Sequence, residues 1–200
     1  MPLWRARHPL VLASRSAPRR AMLEAAGIPI EVRIPELDER AVEAAAGPRG
    51  PADAAALLAG EKAKAVLLPR RLVVGADQTL ALGARRFDKP HDRAAARDQL
   101  MALSGGTHQL HSAVAVARDG EILFTGVSTA RLTMRRLSES FLDAYMEATG
   151  AAVLDSVGAY QLEKLGIHLF EQIDGDHFTI LGLPLLQLLE FLRREGSLVA

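Results

Sequence analysis

Apolar residues along this chain gather in two rhythms. Short aliphatic runs rich in Val, Leu and Ile alternate with longer stretches where apolar positions recur every three or four residues, the pattern of strands laid against amphipathic helices. Leu10 to Ala13 reads as a first buried strand. Ser14-Arg15-Ser16-Ala17-Pro18 follows as a polar turn, and Met22, Leu23 and Ala26 then mark one face of a helix closed by Gly27. Pro18 suits an early helical position, where its missing N–H costs nothing, and Gly27 suits the terminator. Ile28 to Ile34 alternates weakly as a second strand, stopping at Pro35-Glu36-Leu37-Asp38-Glu39, and Gly47-Pro48-Arg49-Gly50-Pro51 reads as a loop. A helix over about 53–67 leads to a strand, Leu72 to Asp77, and a further helix, Asp92 to Leu103, stops at Ser104-Gly105-Gly106.

The next stretch is sheet-like. His111 to Ala117 alternates, Asp119-Gly120 is a hairpin-turn signal, and Ile122 to Phe124 returns. Val127 to Met134 supplies another strand, and Ser138 can cap a helix over Phe141 to Ala148. Gly182-Leu183-Pro184 opens a last amphipathic helix, Leu185 to Arg194. There is no internal repeat. The expectation is an α/β protein with a mixed, partly antiparallel sheet flanked by helices. Its 200 residues suit a single domain, or two closely packed lobes around a central cleft.

Composition narrows the chemistry. Lys and Arg number 24 and so do Asp and Glu, so bulk charge supports binding neither to nucleic acid nor to a membrane surface, and any basic site has to be local. The absence of cysteine removes disulfides, thiolate metal sites and cysteine nucleophiles. The basic start, Met1 to Pro9, precedes an apolar segment too short for a signal sequence, and no stretch approaches membrane-spanning length. A soluble cytoplasmic protein is expected.

Val73-Val74-Gly75-Ala76-Asp77-Gln78-Thr79 carries the most chemical information, because an apolar run stops there on one carboxylate. Open α/β sheets collect ligands beyond the carboxyl ends of their strands. Asp77 is therefore either a turn cap or part of a metal-assisted phosphate site. Ser14, Ser16, Arg19 and Arg20 stand where a strand feeds a helix, whose free N–H groups and dipole favour an anion. Lys62, Lys64 and Lys89 add cations that neutralise phosphate oxygens, and guanidinium groups grip them bidentately. Glu36, Asp38, Glu39, Asp77 and Asp88 supply carboxylates that can gather about a divalent ion or simply face solvent as loop acids.

Several signatures are missing. Neither G-x-x-x-x-G-K-[ST] nor G-x-G-x-x-G occurs, and Ser104-Gly105-Gly106 follows a helix and reads as its terminator. His108 and His111 are three apart on an expected strand, hence on opposite faces, which speaks against a shared metal. His168 and His177 stand alone. A dehalogenase-type phosphatase needs a second Asp two residues after the nucleophile, and Thr79 holds that position.

Taken in order, the motifs resemble the Maf family of nucleotide pyrophosphatases, over Leu10 to about Leu192. The matching stretches are Leu12-Ala13-Ser14-Arg15-Ser16-Ala17-Pro18-Arg19-Arg20, Asp38-Glu39, Glu61-Lys62-Ala63, Val73-Val74-Gly75-Ala76-Asp77, Asp88-Lys89-Pro90, Leu103-Ser104-Gly105, Val157-Gly158-Ala159-Tyr160 and Leu181-Gly182-Leu183-Pro184. The resemblance implies hydrolysis of a nucleoside triphosphate between its α and β phosphates with Mg²⁺ or Mn²⁺, as a house-cleaning step on non-standard or modified nucleotides. It makes Asp77 the leading catalytic candidate, as metal ligand or general base, and Glu39 a second acid near the metal. Ser14, Arg19 and Arg20 would bind phosphates, and Lys62 and Lys89 would offset their charge. Ala17 and Pro18 replace the family's usual Pro-Arg, so the division of labour between Arg19 and Arg20 is open.

Gln78, Glu163 and the His111-Ser112 region resemble the branch acting on 7-methylguanosine triphosphate rather than the one acting on dTTP and UTP. Gln78 and Glu163 would then contact the substrate, Glu163 accepting from a guanine edge. The family also implies a homodimer. A different class of function, a non-catalytic nucleotide-binding regulator of cell division, would bind nucleotide without turnover.

Overall fold

The computed structural model describes residues 3–200; Met1 and Pro2, the start of the basic N-terminal stretch, lie outside the described residues. Strand β1 (Leu10–Leu12) leads to helix α1 (Ala17–Ala25), strand β2 (Ile30–Val32), and helices α2 (Glu39–Ala46) and α3 (Pro51–Lys64). Strands β3 (Leu72–Leu82) and β4 (Arg85–Phe87) precede helix α4 (Arg93–Leu103). A long hairpin, β5 (Thr107–Arg118) and β6 (Glu121–Met134), is followed by α5 (Glu139–Thr149) and three 3₁₀ turns between Gly150 and Leu169. Strand β7 (Phe170–Asp174), a short turn of helix α6 (His177–Ile180) and helix α7 (Leu185–Arg194) complete the chain.

Hydrogen bonding orders the strands β2-β1-β3-β5-β6-β7, with β4 on β3. β1 pairs in parallel with β2 and β3, while β4 is antiparallel to β3 and β7 antiparallel to β6. The mixed, partly antiparallel α/β class read from the sequence is what the chain adopts. Asp119 and Gly120 turn the β5–β6 hairpin with φ of 53° and 84°, the left-handed pair that a two-residue turn requires.

The chain forms two compact units. One contains the described residues up to Gln78 with 111–128 and 177–200, the other 79–110 with 129–176. In the first unit the period of two along β1, β3 and β5 sorts side chains to two faces. Leu10, Leu12, Leu72, Val74, Ala76, Val114 and Val116 pack with Leu23 of α1 and Leu188 and Leu192 of α7. Val11, Ala13 and Val73 form a second cluster, and Ala113, Ala115 and Ala117 meet Ala55, Ala59 and Ala63 of α3. Small residues on both partners bring α3 close to the sheet. At Gly75 the approach leaves no room at all: a Cβ would stand 2.1 Å from the Ala59 carbonyl oxygen and 2.6 Å from the Ala63 nitrogen.

The sequence places several boundaries differently. The strand expected to end on Asp77 continues to Leu82, so Asp77 lies in mid-strand rather than beyond a strand's carboxyl end. Leu80, Ala81 and Leu82 pair with β4, which extends the strand past its polar interruption. β6 is one strand rather than two, and α3 begins at Pro51 and stops at Lys64. Helix α2 covers residues to which the sequence pattern gave no element; its cap is Asp38, whose carboxylate accepts from the Ala41 N–H, and no residue of it is fully buried. Among the described residues no helix is long and apolar enough to cross a membrane.

Candidate functional site

Three elements of the first unit bring charge together. Lys62 stands in the last turn of α3 on the face toward the sheet, and Gly75 sets how near that turn comes. Its ammonium donates to Asp77 Oδ1 at 2.6 Å and lies 3.0 Å from Glu39 Oε1 at the start of α2. Lys62 and Asp77 side chains keep only 10% and 11% of their surface, whereas Glu39 keeps 47%. A buried pair is thus joined to a wetter carboxylate. Burial raises the Asp77 pKa above its ordinary value; Lys62 and Arg19 oppose that shift, and Glu39 adds to it.

The first loop supplies a guanidinium. Ser16 caps α1, its hydroxyl accepting from the Arg19 N–H, and Ser14 Oγ accepts from the Ser16 N–H at 3.2 Å. Arg19 turns inward: Nε donates to the Gly182 carbonyl and Nη1 to the Ala76 carbonyl, both at 2.8 Å, with a longer contact from Nη1 to Ser14 Oγ at 3.4 Å. Burial pulls the Arg19 pKa down, and the nearby Asp77 and Glu39 charges pull it back up. Nη2 is not engaged in these bonds.

Arg20 takes the other direction. It is exposed and pairs with Glu24 one helical turn on, at 2.9 Å, so of the two arginines only Arg19 joins the cluster. Gln78 faces away from Asp77 along the strand and donates to Ser112 Oγ, Thr179 O and Ile180 O. Lys89 and Glu163 belong to the second unit, and both are exposed. The structure thus gathers Ser14, Arg19, Glu39, Lys62 and Asp77, and leaves Arg20 outside. Sequence reasoning missed Gly75 and Gly182 as the residues that let Lys62 and Arg19 reach their places. The motifs Val74-Gly75-Ala76-Asp77 and Leu181-Gly182-Leu183-Pro184 held that signal.

Among the described residues no group of three or more His, Asp or Glu is placed to hold a metal ion. The two acids that converge, Asp77 and Glu39, are a donor set of hard oxygens already gathered round one cation, Lys62. Mg²⁺ is commonly held by one or two carboxylates, with phosphate and water completing its shell. The residues fit that mode of binding.

A mixed α/β protein with a buried lysine–carboxylate pair beside an arginine-bearing helix start defines a class, that of proteins built to handle an anionic, phosphate-like ligand. More particularly, the chain belongs to the Maf-like protein family, which matches residues 9–195. It is similar to a "Nucleoside triphosphate pyrophosphatase" of Bradyrhizobium diazoefficiens, 58% identical over 197 residues and 98% of each chain. A protein of the same name from Rhodopseudomonas palustris CGA009 is 56% identical over 99% of each chain. A "7-methyl-GTP pyrophosphatase" of Brucella abortus is 54% identical over 93% of this chain and 96% of its own.

Proposed function

We propose that this protein hydrolyses nucleoside triphosphates to the monophosphate and pyrophosphate. The observation that carries the reading is the buried Asp77 carboxylate bonded to Lys62 at 2.6 Å, with Glu39 and Arg19 close enough to shift its titration. The names of the full-length relatives agree with it. In the reaction a water oxygen bonds to the α-phosphorus, the bridge to the β-phosphate breaks, pyrophosphate leaves and the water gives up a proton. Arg19 offers N–H groups at the start of α1 that hold and orient phosphate oxygens. Lys62 supplies a fixed positive charge in a site largely closed to water, where it needs no reorganisation to stabilise negative charge. Asp77 and Glu39 would hold a divalent ion, which when bound neutralises phosphate charge and polarises the anhydride.

Asp77 acts either on that ion or on the water's proton, and both roles need it ionised. Because its pKa is raised, activity falls as the pH drops through a value above the usual range for Asp. The substrate class is taken as modified purine nucleotides, with 7-methylguanosine triphosphate as the leading member, on the name of the Brucella relative. The test is pyrophosphate release with Mg²⁺ or Mn²⁺ from 7-methylguanosine triphosphate, GTP, UTP and dTTP, run beside Asp77→Asn. We expect the methylated nucleotide to be preferred and the variant to lose at least about 10²-fold in kcat. Preferred turnover of UTP and dTTP would keep the chemistry and overturn the substrate. Binding with no turnover of any nucleotide would favour the regulatory reading.

A further inference from the structure

Lys89 stands on a stretch of backbone that the second unit fixes from both sides. Pro90, which follows it, is buried; its ring locks its own φ and disfavours a helical backbone at Lys89. Asp92 then caps helix α4, its carboxylate accepting from the Ala95 N–H at 2.7 Å. On the other side the Asp88 carbonyl, part of the peptide unit leading into Lys89, accepts from Gln99 Nε2 at 2.8 Å. The lysine side chain itself is exposed, and among the described residues it makes no hydrogen bond or ion pair. A fixed backbone thus carries a free cation.

Gln99 does more than hold that carbonyl. It lies about one turn of α4 from Ala96 and Leu103, both buried, so its side chain leaves the edge of the helix's packed face. Its Oε1 accepts from the Gly158 N–H at 3.1 Å. A carbonyl only accepts and a backbone N–H only donates, so the two contacts fix which end of the amide is which. Gly158 has a φ of +77°, and a Cβ there would stand 2.7 Å from Leu80 Cδ1 and 2.8 Å from the Tyr160 ring. Leu80 in turn pairs with Phe87, the residue before Asp88. One amide therefore closes a circuit between two loops that lie far apart in the chain.

We propose that Gln99 is a positioning residue that braces the Asp88–Pro90 loop against the Gly158 turn and so fixes the point from which Lys89 extends. The inference rests on the reading of Lys89 as a cation that offsets phosphate charge. A lysine is a point charge on a flexible stem, so its reach is bounded by where its backbone is held. Loosening the loop spreads the ammonium over more positions and weakens a charge that acts by being preorganised. The effect of Gln99 is therefore felt only while Lys89 is present.

The experiment is a double-mutant cycle of Gln99→Met with Lys89→Ala. It is read by kcat/KM for pyrophosphate release from 7-methylguanosine triphosphate, GTP and UTP with Mg²⁺. We expect Lys89→Ala to lose about 10²-fold, as removal of one fixed charge from a transition state gives. Gln99→Met alone should lose about fivefold to tenfold on every nucleotide turned over, the scale of one lost hydrogen bond. In the Lys89→Ala background it should change nothing further. Gln99→Glu, which still accepts from Gly158 but does not donate to Asp88, should match Gln99→Met and takes its place if that variant does not fold. Full additivity of the two losses would overturn the proposal and make Gln99 a packing residue. Wild-type constants in both Gln99 variants would also overturn it, and so would a loss confined to one nucleotide, which would tie Gln99 to the base. Lys89→Ala separates the two claims: if it keeps the wild-type constant, the phosphate role of Lys89 fails. If it loses activity while the Gln99 variants keep theirs, the positioning role alone fails. Should the protein bind nucleotide without turnover, the same cycle read on the Kd for GTP with Mg²⁺ decides by the same criteria.

Discussion

The two units bury titratable groups in opposite ways. In the first, Asp77 is enclosed with Lys62 and linked to Glu39, so a charge removed from water finds an opposite charge and hydrogen bonds. In the second, His108 is fully buried on β5 with Nε2 2.7 Å from the Tyr160 hydroxyl, and its ring contacts Tyr160 and Phe170. Among the described residues no charged partner compensates there. Burial depresses the His108 pKa to about 4, and it pushes the Tyr145 and Tyr160 hydroxyls up, to about 12 for Tyr145. The first region keeps ionic groups poised; the second is held together by keeping its groups neutral. In this chain the buried acid of the candidate site is the one that the fold also gives a partner of opposite charge.

The comparison can be broken most forcefully at Lys62. Lys62→Met leaves Asp77 buried without its nearest counter-charge, and we expect pyrophosphate release to fall at least about 10²-fold. Stability at neutral pH should fall by about 3 kcal/mol, the scale of breaking a buried pair. Since Lys62 opposes the upward shift of Asp77, its loss moves that pKa higher still. A folded-state pKa raised above the unfolded value makes an acid costly to bury when ionised and less costly as the pH falls. The destabilisation should therefore shrink on acidification, and the acid limb of any residual activity should move to higher pH. Urea titrations at several pH values and a pH–rate profile check this; a pH-independent deficit would show that Lys62 is only packing.

The second region predicts an effect on stability alone, with the opposite pH dependence. His108 titrates near 6.5 when unfolded and near 4 when folded. Between those values the unfolded chain binds a proton that the folded chain refuses, so stability is lost as the pH falls through that window. At about 1.4 kcal/mol per pH unit the loss approaches about 3 kcal/mol. The paired variant His108→Leu/Tyr160→Phe removes the titrating ring without leaving a buried hydroxyl alone, and its denaturation midpoint should change less between pH 6.5 and 4. Parallel acid profiles for the two proteins would place the titration elsewhere. Lastly, Arg20→Ala removes an exposed pair with Glu24 and should alter stability by at most about 0.5 kcal/mol. It should leave turnover unchanged; a loss comparable to that of Arg19→Ala would return Arg20 to the site.

The contrast between Arg19 and Arg20 shows how much of the site could be read in the chain. The sequence singled out both and left their roles open, because adjacent helical residues differ by a rotation that only packing makes consequential. Position 19 meets the Gly182 and Ala76 carbonyls, while position 20 meets Glu24 and solvent. Asp77 was legible as a lone carboxylate after an apolar run, although its strand runs on to Leu82 because β4 pairs with residues that local pattern cannot link. Helix α2 was missed because it spans only eight residues and buries none of them fully, which leaves a short periodic signal between two proline-rich turns.

By itself, then, the sequence determined the alternation of strands and helices, the hairpin turn at Asp119-Gly120 and the Ser138-capped start of α5, since each follows from local propensity and period. It also supplied the motifs that placed the chain in its family. Only the tertiary structure decided that Lys62 would sit 2.6 Å from Asp77, and that carbonyls near the chain's end would grip Arg19 and Gln78. Those contacts span 15 to 163 residues of chain. Their geometry depends on how closely a helix or a bend can approach the sheet, at Gly75 and Gly182, and no local pattern of side chains encodes that distance.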